Sequence, residues 1–130
     1  NKEFDYVTSS AVLEHVGSDT EQKRFLKKAG DIATKGLFIT TPNRFHFIEF
    51  HTKLLFIHWF PKKIHRFILR KIGLNFWEKE SNLNLLSYKS FYKMARETLG
   101  QEFDVVIKKV YFLFVPSNLI LIATRKNIRN

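Results

Sequence analysis

One hundred and thirty residues, 45% of them hydrophobic, suffice for one buried core and exclude a disordered chain. The absence of cysteine excludes disulfides and thiolate chemistry, and the longest apolar run, Leu54 to Phe60, is broken by His58 and is too short to span a bilayer. The formal charge is +10, and residues 44–71 hold seven lysines and arginines against Glu49 alone, so an anionic partner is expected on that segment.

In chain order, Phe4 to Ser9 is a short strand. It runs into Ser10-Ala11-Val12-Leu13-Glu14-His15-Val16, a polar turn of the kind that lines ligand sites at the carboxyl ends of strands in open α/β sheets. No glycine-rich strand-to-helix turn precedes it, and Asn1 lies almost on top of the strand, so the chain is expected to be the back half of a nucleotide-type α/β fold. Ser18-Asp19-Thr20-Glu21 predicts a capping box, with Glu21 reaching back to Ser18. Phe25, Leu26, Ala29, Ile32 and Ala33 follow at helical spacing, and Gly36 is the expected stop. Leu37 to Thr41 is the next strand, closed by Pro42, which has no N–H to give a ladder.

Residues 44–86 are too aromatic and basic for a plain linker and too long for an ordinary loop. Ile48 to Phe60 is expected as a helix stopped by Pro61. Lys62 to Ile72 is expected as a second, with Ile64, Phe67, Ile68 and Ile72 on one face and Gly73 as its end; residues 74–86 are expected as loop. Ser87 caps a third helix with Phe91, Met94, Ala95 and Leu99 inward and Gly100 as its stop. Phe103 to Val115 is a long strand, Pro116-Ser117-Asn118 a turn, and Leu119 to Ala123 the last strand, joined too tightly for a crossover and therefore antiparallel. The expected fold class is α/β, a mostly parallel sheet ending in an antiparallel hairpin with a helical insertion.

Several side chains are candidates for function. His15, just past the first strand, is placed to act as a base near neutral pH. Thr41 and Asn43, at the end of the second, and His51, His58 and Trp59 in the insertion are candidate substrate contacts. The spacing of seven between His51, His58 and His65 invites a metal, but on a helix seven residues advance about 10.5 Å. Ligands at about 2 Å from one ion cannot lie so far apart. No metal is expected.

The order of these elements and two motifs resemble the carboxyl-terminal half of class I S-adenosylmethionine-dependent methyltransferases, of the methyltransferase type 11-like kind. The motifs are Phe4-Asp5-x-Val7-x-Ser9-Ser10-x-Val12-Leu13-Glu14-His15-Val16 and Gly36-Leu37-Phe38-Ile39-Thr40-Thr41-Pro42-Asn43-Arg44. Leu85-Leu86-Ser87-x-x-Ser90-Phe91 resembles the start of the last helix, and residues 44–66 a substrate-side insertion of one bacterial subgroup. The resemblance implies S-adenosylmethionine as cofactor, with Ser9, Ser10 and Ala11 beside its methionine part and His15 facing the cleft. It also implies that the glycine-rich loop, the ribose-binding acid and the adenine contacts lie outside these residues. Some relatives carry a metal-binding Glu where this chain has Ala11. The implied acceptor is a small or lipid-like molecule, in a cytoplasmic protein that is membrane-peripheral if the basic insertion meets lipid. A non-catalytic module docking on an anionic membrane is the alternative. Nucleic acid ranks below it, because the charge comes with no nucleic-acid motif. A half-sheet with an unpaired edge also implies self-association.

Overall fold

The structure, a computed structural model, describes residues 3–126; Asn1 lies outside them. The chain runs through β1 (Phe4–Ser10), a 3-10 turn (Leu13–His15), α1 (Asp19–Ile32) and β2 (Ala33–Pro42). A second 3-10 turn (Ile57–Trp59), α2 (Lys62–Lys71) and the single-turn α3 (Asn75–Glu78) follow, then α4 (Tyr88–Leu99), β3 (Phe103–Phe112) and β4 (Val115–Arg125).

The four strands form one sheet in the order β1-β2-β4-β3, with β1 parallel to β2 and β4 antiparallel to both its neighbours. Three strands therefore point one way and β4 alone is reversed. The hairpin is not appended to the edge as a unit: its second strand inserts beside β2 and its first becomes the edge. α1 and α4 cover one face, where Leu26, Phe91, Leu99, Ile39, Leu119 and Leu121 are buried. Each large side chain so buried contributes about 1.5–3 kcal/mol. On the other face, Phe38, Ile122 and Val106 are in register across β2, β4 and β3, and all three are exposed.

Ser18 caps α1 through the Glu21 N–H, but Glu21 does not reach back; it pairs with Arg24 at 2.8 Å instead. At α4 the capping box is complete, built from Ser87 and Ser90. Gly36 does not end α1. The helix stops at Ile32, and Gly36 lies inside β2, where a Cβ would meet the Ala123 carbonyl oxygen of β4 at 2.8 Å. The expected turn at Pro116-Ser117-Asn118 is also displaced. These residues belong to β4, with Pro116 opposite Tyr111 at a register shift, and the chain reverses earlier, at Leu113-Phe114.

The insertion departs most from expectation. Residues 48–56 are not helical: Ile48 and Leu55 form an antiparallel bridge, and Lys53 and Phe56 adopt left-handed φ of 56° and 60°. α2 forms where expected, but its inward side is different. Leu69 is fully buried, whereas Ile64, Phe67 and Ile72 are about half exposed. Among its basic residues, Lys62, Arg66 and Arg70 pair with Asp19, Glu80 and Glu78.

Candidate functional site

The parallel pair β1–β2 brings two turns together at its carboxyl end. β1 ends at Ser10, and Ala11 turns the chain with φ of 52° while its N–H donates to the Thr40 carbonyl at 3.1 Å. A non-glycine residue in that conformation is uncommon and strained. The 3-10 turn that follows buries Leu13 and Glu14 and leaves His15 half-buried. Gln22 of α1 locks this turn from beneath, donating to the Leu13 and Asn84 carbonyls at 3.0 and 2.9 Å.

Glu14 is a fully buried carboxylate. One oxygen accepts from the Thr41 hydroxyl at 3.0 Å; the other, Oε1, has no hydrogen-bond partner and lies 3.8 Å from His15 Nε2 and 4.0 Å from His51 Nε2. The two imidazoles meet edge to face, Nε2 to Nε2 at 3.0 Å. Their other nitrogens are committed. His15 Nδ1 lies 2.6 Å from the Asn82 carbonyl and His51 Nδ1 lies 2.7 Å from Glu49 Oε1. A carbonyl and a carboxylate can only accept, so both Nδ1 atoms donate and both Nε2 lone pairs face each other. In the neutral pair these lone pairs oppose each other, and one added proton between the rings would satisfy both.

The electrostatics agree. Glu49 is buried, which opposes its charge, but hydrogen bonds from His51 and Thr52 outweigh the burial and hold its pKa at about 2. The hydrogen bond to Glu49 raises the pKa of His51 against the opposing effect of burial, with the charges of Glu49 and Glu14 adding to the rise. Trp77 closes the site on one side, with its ring 5.2 Å from His51 and 6.1 Å from His15.

The structure thus joins His15 and His51, and redefines the other sequence candidates. Thr41 is fully buried and spent on Glu14, so it orients the carboxylate rather than touching a substrate. Asn43 holds its own turn, donating to the Pro116 carbonyl at 2.8 Å and accepting from the Phe45 N–H at 3.3 Å. His58 is buried, with Nε2 on the His46 carbonyl; Trp59 donates to the same carbonyl at 3.0 Å but keeps an exposed ring. Ser10 bonds Thr40 at 2.9 Å, and the buried Ser9 hydroxyl has no partner. Among the three cofactor candidates, Ser9 has a buried hydroxyl without a partner.

The helix on which the metal argument rested is absent between His51 and His58. Among the described residues, the one trio whose ligand atoms converge is Glu14, His15 and His51, within 4.8 Å of one another. Glu49 and Arg44 were not among the sequence candidates for function, and Glu14 was read only as the neighbour of His15. A Glu two and three residues before the N–H groups it caps, as Glu49 is before His51 and Thr52, was the available signal.

Strand order and one-sided helices place this chain beside solved structures. The magnesium protoporphyrin IX methyltransferase ChlM from Synechocystis PCC 6803, with bound SAH, superposes at a TM-score of 0.54 and 20% identity, over 97% of this chain and 46% of that one. The fold is class I methyltransferase-like. The same enzyme with bound SAM gives 0.52 and 16%, over 97% and 41%. A chain of the Pnkp1/Rnl/Hen1 RNA repair complex gives 0.55 and 12%, over 96% and 23%. This chain spans less than half the length of each neighbour. No family model matches it, and no curated protein does. No helix among the described residues is long and apolar enough to cross a membrane.

Proposed function

We propose that this chain forms the acceptor-side half of an S-adenosylmethionine-dependent methyltransferase acting on a small or lipid-like molecule. The observation that carries the reading is the His15–His51 pair beside the carboxyl ends of β1 and β2, backed by two buried carboxylates. S-adenosylmethionine, when bound, supplies an activated methyl group. The turn Ser9-Ser10-Ala11 borders its methionine part. The imidazole pair accepts the acceptor's proton into the gap between its Nε2 atoms, and Glu14 and Glu49 stabilise the resulting cation. Trp77 and the insertion exclude water from one side.

The rest of the cofactor site belongs to sequence that would continue the sheet past the open edge of β1. Calorimetry with S-adenosylhomocysteine tests this. Residues 1–130 alone should bind weakly, and the same segment extended upstream in its reading frame should bind at micromolar levels or better. Micromolar binding by residues 1–130 alone would overturn the half-site reading. The open β1 edge and the bare sheet face should also make the chain self-associate; a monodisperse monomer in light scattering would refute that part.

A second reading rests on the β3–β4 turn. Phe114 is 98% exposed and Leu113 61%. No acidic residue occurs from Val105 to Lys126, while Lys108 and Lys109 approach the tip. Such a tip suits insertion into an anionic bilayer. Flotation with anionic vesicles should recover the chain and should fail for the Leu113→Asn/Phe114→Gly double variant. Unchanged flotation would remove this reading, and RNA binding that resists competition by anionic lipid would favour nucleic acid.

A further inference from the structure

Within the insertion lies a second polar pocket, whose lining includes Arg44, His58, Lys62, His65, Arg66 and Trp77. Five of these six can carry positive charge. Asp19 pairs with Lys62 at 3.2 Å and Glu80 with Arg66 at 3.0 Å, and the charge of Glu49 also reaches His58 and His65. Arg44 is half-buried and has no acidic partner among the described residues; its Nε and Nη2 donate to the His58 and Phe60 carbonyls at 3.2 and 2.7 Å, which leaves Nη1 and one Nη2 hydrogen to donate. His58 is 1% exposed, and its Nδ1 has no partner. With Nε2–H given to the His46 carbonyl, Nδ1 of the neutral ring is an acceptor, and it becomes a donor toward an anion only when the ring is protonated.

We infer that this pocket binds the oxyanion group of the acceptor, a phosphate ester or a carboxylate. Trp77 supports the link. It lines this pocket and also packs on His51 and His15, so an anion held here leaves the attached molecule next to the imidazole pair. Guanidinium groups suit oxyanions through paired N–H donors, and a protonated His58 or His65 adds a further donor. Burial, with help from the neighbouring cations, keeps His65 neutral until about pH 4, and burial likewise lowers His58. An anion would reverse that balance. The inference rests on the methyltransferase reading for what the anion belongs to, not for its binding.

The test is the effect of inorganic phosphate on the whole chain, against sodium chloride at equal ionic strength. Phosphate should raise the melting temperature where chloride does not. Arg66→Gln should weaken phosphate binding by about tenfold or more, the cost of one charged hydrogen bond. Arg44→Lys, which keeps the charge but loses the fork, should weaken it as well. Lys71→Gln, at an exposed position outside the pocket, should leave it unchanged. By NMR, phosphate should raise the pKa of His65, which faces His58, Arg44 and Arg66 as well as Glu49. Equal effects of phosphate and chloride, or equal losses in Arg66→Gln and Lys71→Gln, would overturn the assignment. Competition between inorganic phosphate and phosphatidate-containing vesicles identifies a lipid headgroup as the source; phosphate binding without competition identifies a soluble ester. Calorimetry with the cofactor is a separate measurement, so the pocket can fail while the methyltransferase reading stands, and the reverse.

Discussion

The layered part of the molecule and its insertion are stabilised by different physics. Between α1, α4 and the sheet the buried cluster is Leu, Ile, Val, Ala, Phe and Met, and none of it titrates. In residues 43–86 the buried groups include Asn43, His46, Glu49, His58 and Asn84, each held by hydrogen bonds to backbone or to another side chain. The first region can exist in any order of similar apolar residues that fills the space. The second depends on particular atoms, and its stability depends on pH. The chemistry was placed where the polar scaffold meets the apolar one, at the turn carrying Glu14 and His15.

That contrast can be tested at several strengths. Phe91→Ala, at a fully buried position on α4, should cost about 3–5 kcal/mol at any pH between 5 and 8. Phe67→Ala, on the outer face of α2, should stay within about 0.5 kcal/mol. Denaturant melts of both would break the comparison if the second cost as much as the first. Glu49→Gln should cost about 2 kcal/mol at neutral pH, since it removes charged hydrogen bonds to His51 and Thr52. Because the native pKa is depressed to about 2, that contribution is present above the ordinary carboxylate range and fades as pH falls toward 2.

The histidines set the upper part of the profile. The native pKa of His65 is lowered to about 4, so the unfolded chain takes up protons first and stability falls as pH drops from about 6.5 to 4. His51 acts oppositely. Its raised pKa stabilises fully below about 6.5 and is lost as pH rises through the native value. The insertion should therefore be most stable near neutrality. Melting temperatures across this range should drop by a few degrees on the acid side, and His65→Gln should flatten that side. The smallest effect concerns the β3–β4 turn. Leu113 and Phe114 both have positive φ, 49° and 65°, where Asn-Gly would be relaxed. The Leu113→Asn/Phe114→Gly variant should gain about 1 kcal/mol, read by urea melts.

The elements with strict periodicity were legible in the sequence: α1 and α4 from their apolar spacing and serine caps, β1 and β2 from their apolar runs and polar ends. Boundaries were less so. β2 begins at Ala33 because β4 and β1 extend its pairing beyond the apolar run, and Gly36 serves close approach rather than helix termination. The apolar stripe of α2 was legible but not what covers it, because periodicity locates a stripe without saying what packs on it; Leu69 is the fully buried position and His65 faces His58 of the second 3-10 turn, while Ile64 and Phe67 stay exposed. Individual site residues were visible, but His15 and His51 were not visible as a pair. They lie 36 residues apart, and their contact depends on a chain reversal, bridged at Ile48 and Leu55, that Glu49 creates by capping two backbone N–H groups.

The position of β4 also sets an order of assembly. It is joined to β3 by two residues, yet its other neighbour is β2, where Pro42 faces Asn118 across the whole insertion. Closing the short loop costs little chain entropy and closing the long one costs more, so the β3–β4 hairpin can form first, as a local event. β2 then docks on a preformed edge, and the intervening residues are drawn into a loop whose ends are already fixed. The imidazole pair, which needs both β1 and the insertion in place, is among the last contacts to form. Pulse-labelled hydrogen exchange should find the β3–β4 amides protected before those of β1.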